Sequence, residues 1–224
     1  MKRVLLAILA TLGLVFGLVP AVAGAQALPV VTPGMALDVG RDDYGCTMGA
    51  IGTDSAGRLI GISAAHCLKG VGGDIFFPGQ RDIGPIGTVA YTYPNGGAIG
   101  SEPDYSVVVY DKAKVTGSSV GHNITVNKNG PRPPFGQWIC KSGQTTGHTC
   151  GFATYFPDSG NTAGWIFVLP GDSGGPLVYG TTWAGIVSRI DFELRGPMSF
   201  ASADRILADL NARGGPGAGF VPLA

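Results

Sequence analysis

Apolar positions along this 224-residue chain come in short bursts. Segments 58–63, 74–77, 86–93, 105–110, 137–141, 151–156, 164–169, 176–179 and 183–188 are rich in Val, Ile, Tyr, Phe and Thr. Gly, Pro, Asn and Asp separate them. Runs this short and this punctuated predict strands joined by turns, and so many in succession predict an all-β barrel or sandwich. Between 111 and 135 the pattern weakens. Ser118, Ser119, Asn123, Asn127, Asn129, Gly130, Pro131, Pro133 and Pro134 make that stretch polar and turn-rich, as expected of a crossing between two β subdomains. One stretch has helical spacing: 202–213 puts Ile206, Leu207 and Leu210 on one face. Ser202 or Asp204 can cap its start, and Gly214-Gly215 can end it. The Gly- and Pro-rich tail from Gly214 to Ala224 is expected to be flexible or to lie along the surface. Its Gly215, Gly217 and Gly219 echo a dinucleotide-binding pattern, but without the βαβ setting that pattern needs.

The N-terminus departs from this rhythm. Lys2 and Arg3 precede an apolar run from Val4 to Val19, interrupted only by Thr11 and glycines, and Pro20 ends it. Ala23, Ala25 and Ala27 offer small-x-small cleavage sites. A basic start, a short apolar run and small residues at its end predict a secretory signal peptide rather than a membrane anchor. No other stretch is long and apolar enough to span a bilayer, so no stable membrane span is expected after cleavage. The chain carries 15 basic and 15 acidic side chains, and without Lys2 and Arg3 the mature net charge is about −2. A near-neutral chain does not suit nucleic acid, which demands a basic field. Charged residues are few and glycines number 38, which fits tight turns between short strands rather than a disordered chain. An exported chain with four cysteines, Cys46, Cys67, Cys140 and Cys150, is expected to form disulfides, and three pairings are open. No Cys-x-x-Cys pair occurs and the three histidines are scattered, which disfavours a zinc site.

The candidate chemistry centres on Gly171-Asp172-Ser173-Gly174-Gly175-Pro176. A glycine turn can expose the Ser173 hydroxyl and bring backbone N–H groups beside it, as acyl transfer requires. Ser63-Ala64-Ala65-His66-Cys67 lies upstream, and Asp104 follows in Glu102-Pro103-Asp104-Tyr105-Ser106-Val107. Imidazole titrates near neutrality, so His66 can take a proton from the serine and later return it. Asp104, at the entry to an apolar strand, is the candidate to orient the ring, with Asp74, Asp82, Glu102 and Asp111 as rivals. His122, in the polar crossing, and His148, between Cys140 and Cys150, read as ordinary loop residues.

These three motifs, in the order His, Asp, Ser, resemble those of the trypsin/chymotrypsin-like serine endopeptidases, whose Ser-His-Asp triad is the standard template for acyl transfer. The resemblance is strongest from Cys46 to Ser188. It implies an all-β fold of two packed six-stranded antiparallel β-barrels with a short C-terminal helix. It implies the triad His66, Asp104 and Ser173, with the Gly171 and Ser173 N–H groups as the oxyanion hole. The cysteine pairing that keeps each bridge local, Cys46 with Cys67 and Cys140 with Cys150, is also the one the resemblance favours. Asp172 is then a buried carboxylate that needs a cation. The zymogen-activated branch supplies a new N-terminal amine, but no Ile-Val-Gly-Gly-like start occurs near Leu28-Pro29-Val30-Val31. The Cys140–Gly151 segment is similar instead to a motif of bacterial secreted proteases of the streptogrisin and alpha-lytic type, with Lys141 where arginine is usual. Trp183–Ser188 resembles the strand that pairs with substrate backbone. Phe167 falls at the usual pocket base and Ile190 where glycine is common, which together imply small or medium apolar residues before the scissile bond.

The expected layout is a signal peptide (1–27), an N-terminal arm (28–45), a first barrel (46–115), a crossing (116–135), a second barrel (136–201), and a helix with its tail (202–224). The expected protein is a secreted or cell-envelope, monomeric endopeptidase with no cofactor, acting on peptides or proteins. A silent relative that only binds, or an esterase using the same triad, are the alternatives.

Overall fold

The computed structural model describes residues 27–40, 45–68, 70–94, 103–155, 161–189 and 198–224. Most of the expected signal peptide, Glu102 and Ile190 lie outside the described residues. The N-terminal half contributes β1 (Val30–Val31), β2 (Ala36–Leu37), β3 (Cys46–Thr47), β4 (Ala50–Thr53), β5 (Leu59–Ser63), β6 (Asp74–Ile75), β7 (Gly87–Thr92) and β8 (Ser106–Tyr110). Four two-residue strands follow: β9 (Thr116–Gly117), β10 (Val120–Gly121), β11 (Ile124–Thr125) and β12 (Lys128–Asn129). The C-terminal half adds β13 (Trp138–Gly143), β14 (Gly147–Tyr155), β15 (Thr162–Trp165), β16 (Pro176–Tyr179), β17 (Thr182–Arg189) and β18 (Met198–Ser202). Helix α1 (Ala203–Arg213) and β19 (Val221–Pro222) follow.

The first sheet has the order β19-β4-β5-β8-β7-β6, antiparallel throughout. β5 lies at its centre and all five of its residues are buried, which is why that segment reads as a continuous apolar run. In the second sheet, six strands run β17-β16-β13-β14-β15-β18, and a β17–β18 pairing closes them into a barrel, with β12 added in parallel on β17. Ile139, Ala153, Leu177, Ala184, Val187 and Phe200 cluster in its core. A larger core fills the first sheet and continues to Trp183 and Ile186 of the second, so the two sheets pack on shared apolar surface.

Helix α1 begins one residue after Ser202 and buries Ala203, Ile206 and Leu210. Ser202 stands at the cap position, but its hydroxyl lies 3.0 Å from that of Thr162 and does not cap the helix. The expected strand at 164–169 ends at Trp165, and the chain beyond it runs outside the ladder. The arm before Cys46 is tied down: β1 pairs with β9 in parallel, and β2 pairs with β3.

The tail is neither flexible nor merely draped on the surface. Its Phe220 is buried against Trp183 at 5.6 Å between ring centroids, and β19 pairs with β4. Asp54 Oδ2 accepts the Gly217 N–H, Arg58 donates to the Gly215 carbonyl, and Asn129 Nδ2 donates to the Phe220 carbonyl. Apolar burial plus paired backbone outweighs the turn-rich composition that suggested looseness.

Candidate active site

His66 occupies a single 3₁₀ turn, Ala65–Cys67, immediately after β5. Ala64, Ala65 and Cys67 are buried, and Cys67 is bridged to Cys46 of β3. The turn is thus packed from below and covalently tied at one side. Asp104 precedes β8, is 1% exposed and receives three hydrogen bonds. His66 donates to it twice, from Nδ1 to Oδ2 at 2.7 Å and from its backbone N–H to Oδ1 at 3.1 Å. Ser188 Oγ donates to Oδ2 at 2.8 Å. With Nδ1 donating to the carboxylate, the neutral ring leaves Nε2 as its acceptor. The rivals Asp74, Asp82 and Asp111 are exposed.

Ser188 sits at a bulge in β17, between the Val187 and Arg189 pairings with β18. A bulge re-aims a side chain, and here it sends the hydroxyl to Asp104. The sequence singled out Ser188 for substrate backbone, not for this contact.

Ser173 lies in a tight turn whose backbone donors are unequally used. The N–H of Asp172 bonds the Leu169 carbonyl at 3.0 Å, that of Gly174 the Val187 carbonyl at 2.7 Å, and that of Gly175 the Asp172 carbonyl at 2.9 Å. Among the described residues, the N–H groups of Gly171 and Ser173 have no acceptor in the protein. Gly171 has φ +100°, a conformation natural to glycine, and a Cβ there would collide with Thr145 Oγ1. The Ser173 carbonyl accepts the Thr47 N–H at 2.8 Å and lies 3.7 Å from Cys67 Sγ, so the serine turn abuts the segments flanking His66. No hydrogen bond joins Ser173 Oγ to His66 among the described residues; in substrate-free sites that contact is commonly long and tightens on binding.

The turn is anchored by Asp172, which is fully buried. Oδ1 accepts the N–H groups of Thr145 and Thr146, both at 3.0 Å. Oδ2 accepts Lys141 Nζ at 3.0 Å, the Leu169 N–H at 3.1 Å and Thr146 Oγ1 at 2.5 Å. Lys141 is fully buried too, and its Nζ also donates to Thr146 Oγ1 and to the Gly147 carbonyl, the latter at 2.9 Å. Burial pushes the Asp172 carboxyl up, but the bonds from Thr146, Leu169 and Lys141 outweigh it and hold its pKa below 3.8. All these donors come from the β13–β14 hairpin except Leu169. The hairpin is bridged by Cys140–Cys150, which are directly opposed in its register. Lys141 stands out of this hairpin in the sequence. Thr145 and Thr146 do not, and their adjacency at the hairpin tip is the one signal that marks them.

Phe167, expected at the pocket base, is 61% exposed and lies between buried Ile166 and Val168. Its carbonyl accepts Thr149 Oγ1 at 2.8 Å. His122 is exposed in the β10–β11 turn, and His148 is exposed on β14. The two Cys/His groupings, around His66 and around His148, each contain a disulfide, which has no thiolate to offer a metal.

No family model matches the chain. An uncharacterized protein of Mycobacterium tuberculosis H37Rv, Rv1815, is 27% identical over 93% of this chain and 92% of its own length. Thermobifida fusca protease A superposes with a TM-score of 0.63 at 23% identity, covering 86% of this chain and 99% of that one. Cellulomonas bogoriensis chymotrypsin superposes with a TM-score of 0.60 at 25% identity, covering 87% and 98%. The fold is chymotrypsin-like. The sequence resemblance and the structural likeness therefore agree on the chymotrypsin-like fold. Within that chymotrypsin-like fold, His66 and Asp104 belong to the first sheet's connections, whereas Ser173, Asp172 and Lys141 belong to the second barrel. Among the described residues no helix is long and apolar enough to cross a membrane.

Proposed function

We propose that this protein is a secreted serine endopeptidase that cleaves peptide bonds through an acyl-enzyme on Ser173. His66 Nε2 takes the hydroxyl proton as Ser173 Oγ attacks the carbonyl carbon. Asp104 holds the ring and stabilises the imidazolium, and Ser188 helps hold Asp104. The carbonyl oxygen becomes an anion between the Gly171 and Ser173 N–H groups. His66 then protonates the leaving amine, and water attacks the acyl-enzyme by the same route in reverse. Lys141 supplies the cation for Asp172, so no newly cleaved N-terminus is needed to form the turn. The two disulfides and the signal-like N-terminus support an oxidising, extracellular compartment.

The observation that carries this reading is the pair of unengaged N–H groups on the serine turn, since every other N–H from 172 to 175 already has an acceptor. A protein that had abandoned acyl transfer would not need them kept free. The test is labelling with a diphenyl phosphonate, read by intact-protein mass, beside the Ser173→Ala variant. One adduct on the wild type and none on the variant is expected. Absence of an adduct on folded, disulfide-bonded wild type favours a binding module. Digestion of a peptide library then reads specificity: cleavage after small or medium apolar residues is expected, and efficient cleavage after Lys or Arg overturns that preference.

A further inference from the structure

The Gly171 N–H is useful as an oxyanion donor only while the Pro170–Gly171 peptide keeps one of its two faces toward the substrate. A trans peptide is planar, with its C=O and N–H directed oppositely. The Pro170 carbonyl accepts Thr145 Oγ1 at 2.7 Å, which turns the Gly171 N–H away from the β13–β14 hairpin. The next carbonyl, that of Gly171, accepts Thr47 Oγ1 at 2.8 Å, and Thr47 Oγ1 accepts the Gln144 N–H at 3.0 Å. The two peptides that meet at the Gly171 Cα are thus each held by a threonine hydroxyl, one from β3 and one from the tip of the β13–β14 hairpin. Between them stands a glycine, the residue with least resistance to rotation. Turning the first peptide over would swing the Pro170 carbonyl toward the position of the N–H and requires breaking the Thr145 bond.

Resting on the peptidase reading, we infer that Thr145 is a positioning residue for the oxyanion hole: its hydroxyl latches the Pro170 carbonyl and so keeps the Gly171 N–H aimed at the substrate. Thr47 holds the other side of the same hinge. Thr145 is exposed at the hairpin tip, so its hydroxyl is not part of the core. Its backbone N–H bonds Asp172 independently and survives a change of side chain. Substitution at Thr145 therefore separates the latch from the anchor.

The experiment compares wild type, Thr145→Val and Thr145→Ser. Acylation is followed by the p-nitrophenolate burst from p-nitrophenyl acetate, and steady-state kinetics use a peptide taken from the library digestion. Thr145→Val should lose at least tenfold in acylation rate and kcat, bounded by the roughly 10²–10³-fold cost of removing one oxyanion donor. KM and the apparent pKa of the pH–rate profile should stay as in wild type, since neither substrate side-chain contacts nor His66 is touched. Thr145→Ser should restore most of the rate. A crystal structure of Thr145→Val should show the Pro170–Gly171 peptide rotated or split between two orientations. An active wild type with an equally active Thr145→Val variant overturns the latch alone. A wild type with neither burst nor phosphonate adduct overturns the peptidase reading, and the crystal structure then judges the latch: an unrotated, singly oriented peptide in Thr145→Val overturns it.

Discussion

At the scale of single residues, Lys141 and Asp172 form an ion pair sensitive to loss of either partner, because both are fully buried. Removing one leaves a buried charge uncompensated, whereas removing both leaves none. Lys141→Met should therefore lower stability by about 3–5 kcal/mol in urea unfolding, and Lys141→Met/Asp172→Asn should recover part of that loss. Equal losses in the two variants would show that packing, not charge, sets the cost. Acid tests the same carboxylate. Its folded pKa lies below its unfolded value, so its contribution is complete above that value and is lost as pH falls through the folded pKa. Stability should accordingly decline below about pH 4, and less steeply in Asp172→Asn than in wild type. His66, Asp104, Ser173 and Lys141 stand out in the sequence because their neighbours form recognisable motifs. Thr47, Thr145 and the Asp104 contact of Ser188 do not, because each acts through a hydrogen bond across 84 or more residues or through a hairpin tip folding onto a distant turn.

At the scale of elements, the β13–β14 hairpin links the fold to the chemistry. Its strands lie within the second barrel, while its tip reaches over to hold Asp172 and Pro170. The Cys140–Cys150 bridge closes a separation of 10 residues and Cys46–Cys67 one of 21. Chain entropy then gives each bridge a similar worth, roughly 2.5–3.5 kcal/mol. Their functional effects should differ. Replacing both Cys140 and Cys150 by serine frees the support of the oxyanion turn, and the burst rate should fall more than the loss of stability explains. Replacing Cys46 and Cys67 frees the 3₁₀ turn that carries His66, and the apparent pKa of the pH–rate profile should shift. Identical profiles in the two double variants would deny this division of labour. The hairpin strands and α1 are legible because alternation and helical spacing are local signals. β4 and β19 are not: Ala50–Thr53 is short and glycine-containing, and Val221–Pro222 is a two-residue strand in a turn-rich segment that forms only when β4 is beside it.

At the scale of the whole molecule, the tail couples the two sheets whose residues share the site. β19 completes the edge of the first sheet, while Phe220, one residue before it, packs on Trp183 of the second. Just upstream the chain is held by Asp54, whose carboxylate accepts the Gly217 N–H and Arg58 Nε, the latter at 2.7 Å. Burial pushes the Asp54 carboxyl up, but these bonds win and hold it below 3.8. Phe220 is 2% exposed and Val221, its neighbour in the chain, is 58% exposed, which provides an internal control. Phe220→Ala removes a buried aromatic and leaves a cavity against Trp183, a change that costs about 3–5 kcal/mol. For a domain of this length, that lowers the melting temperature by roughly 10 °C. Val221→Thr keeps the β-branched backbone preference at a solvent-facing position and should change stability by less than about 0.5 kcal/mol. If the tail ties the sheets together, Phe220→Ala should also slow the p-nitrophenyl acetate burst, because His66 and Ser173 are then held less firmly relative to one another. Matching melting temperatures and burst rates in the two variants would mean that the tail covers the molecule without joining its halves.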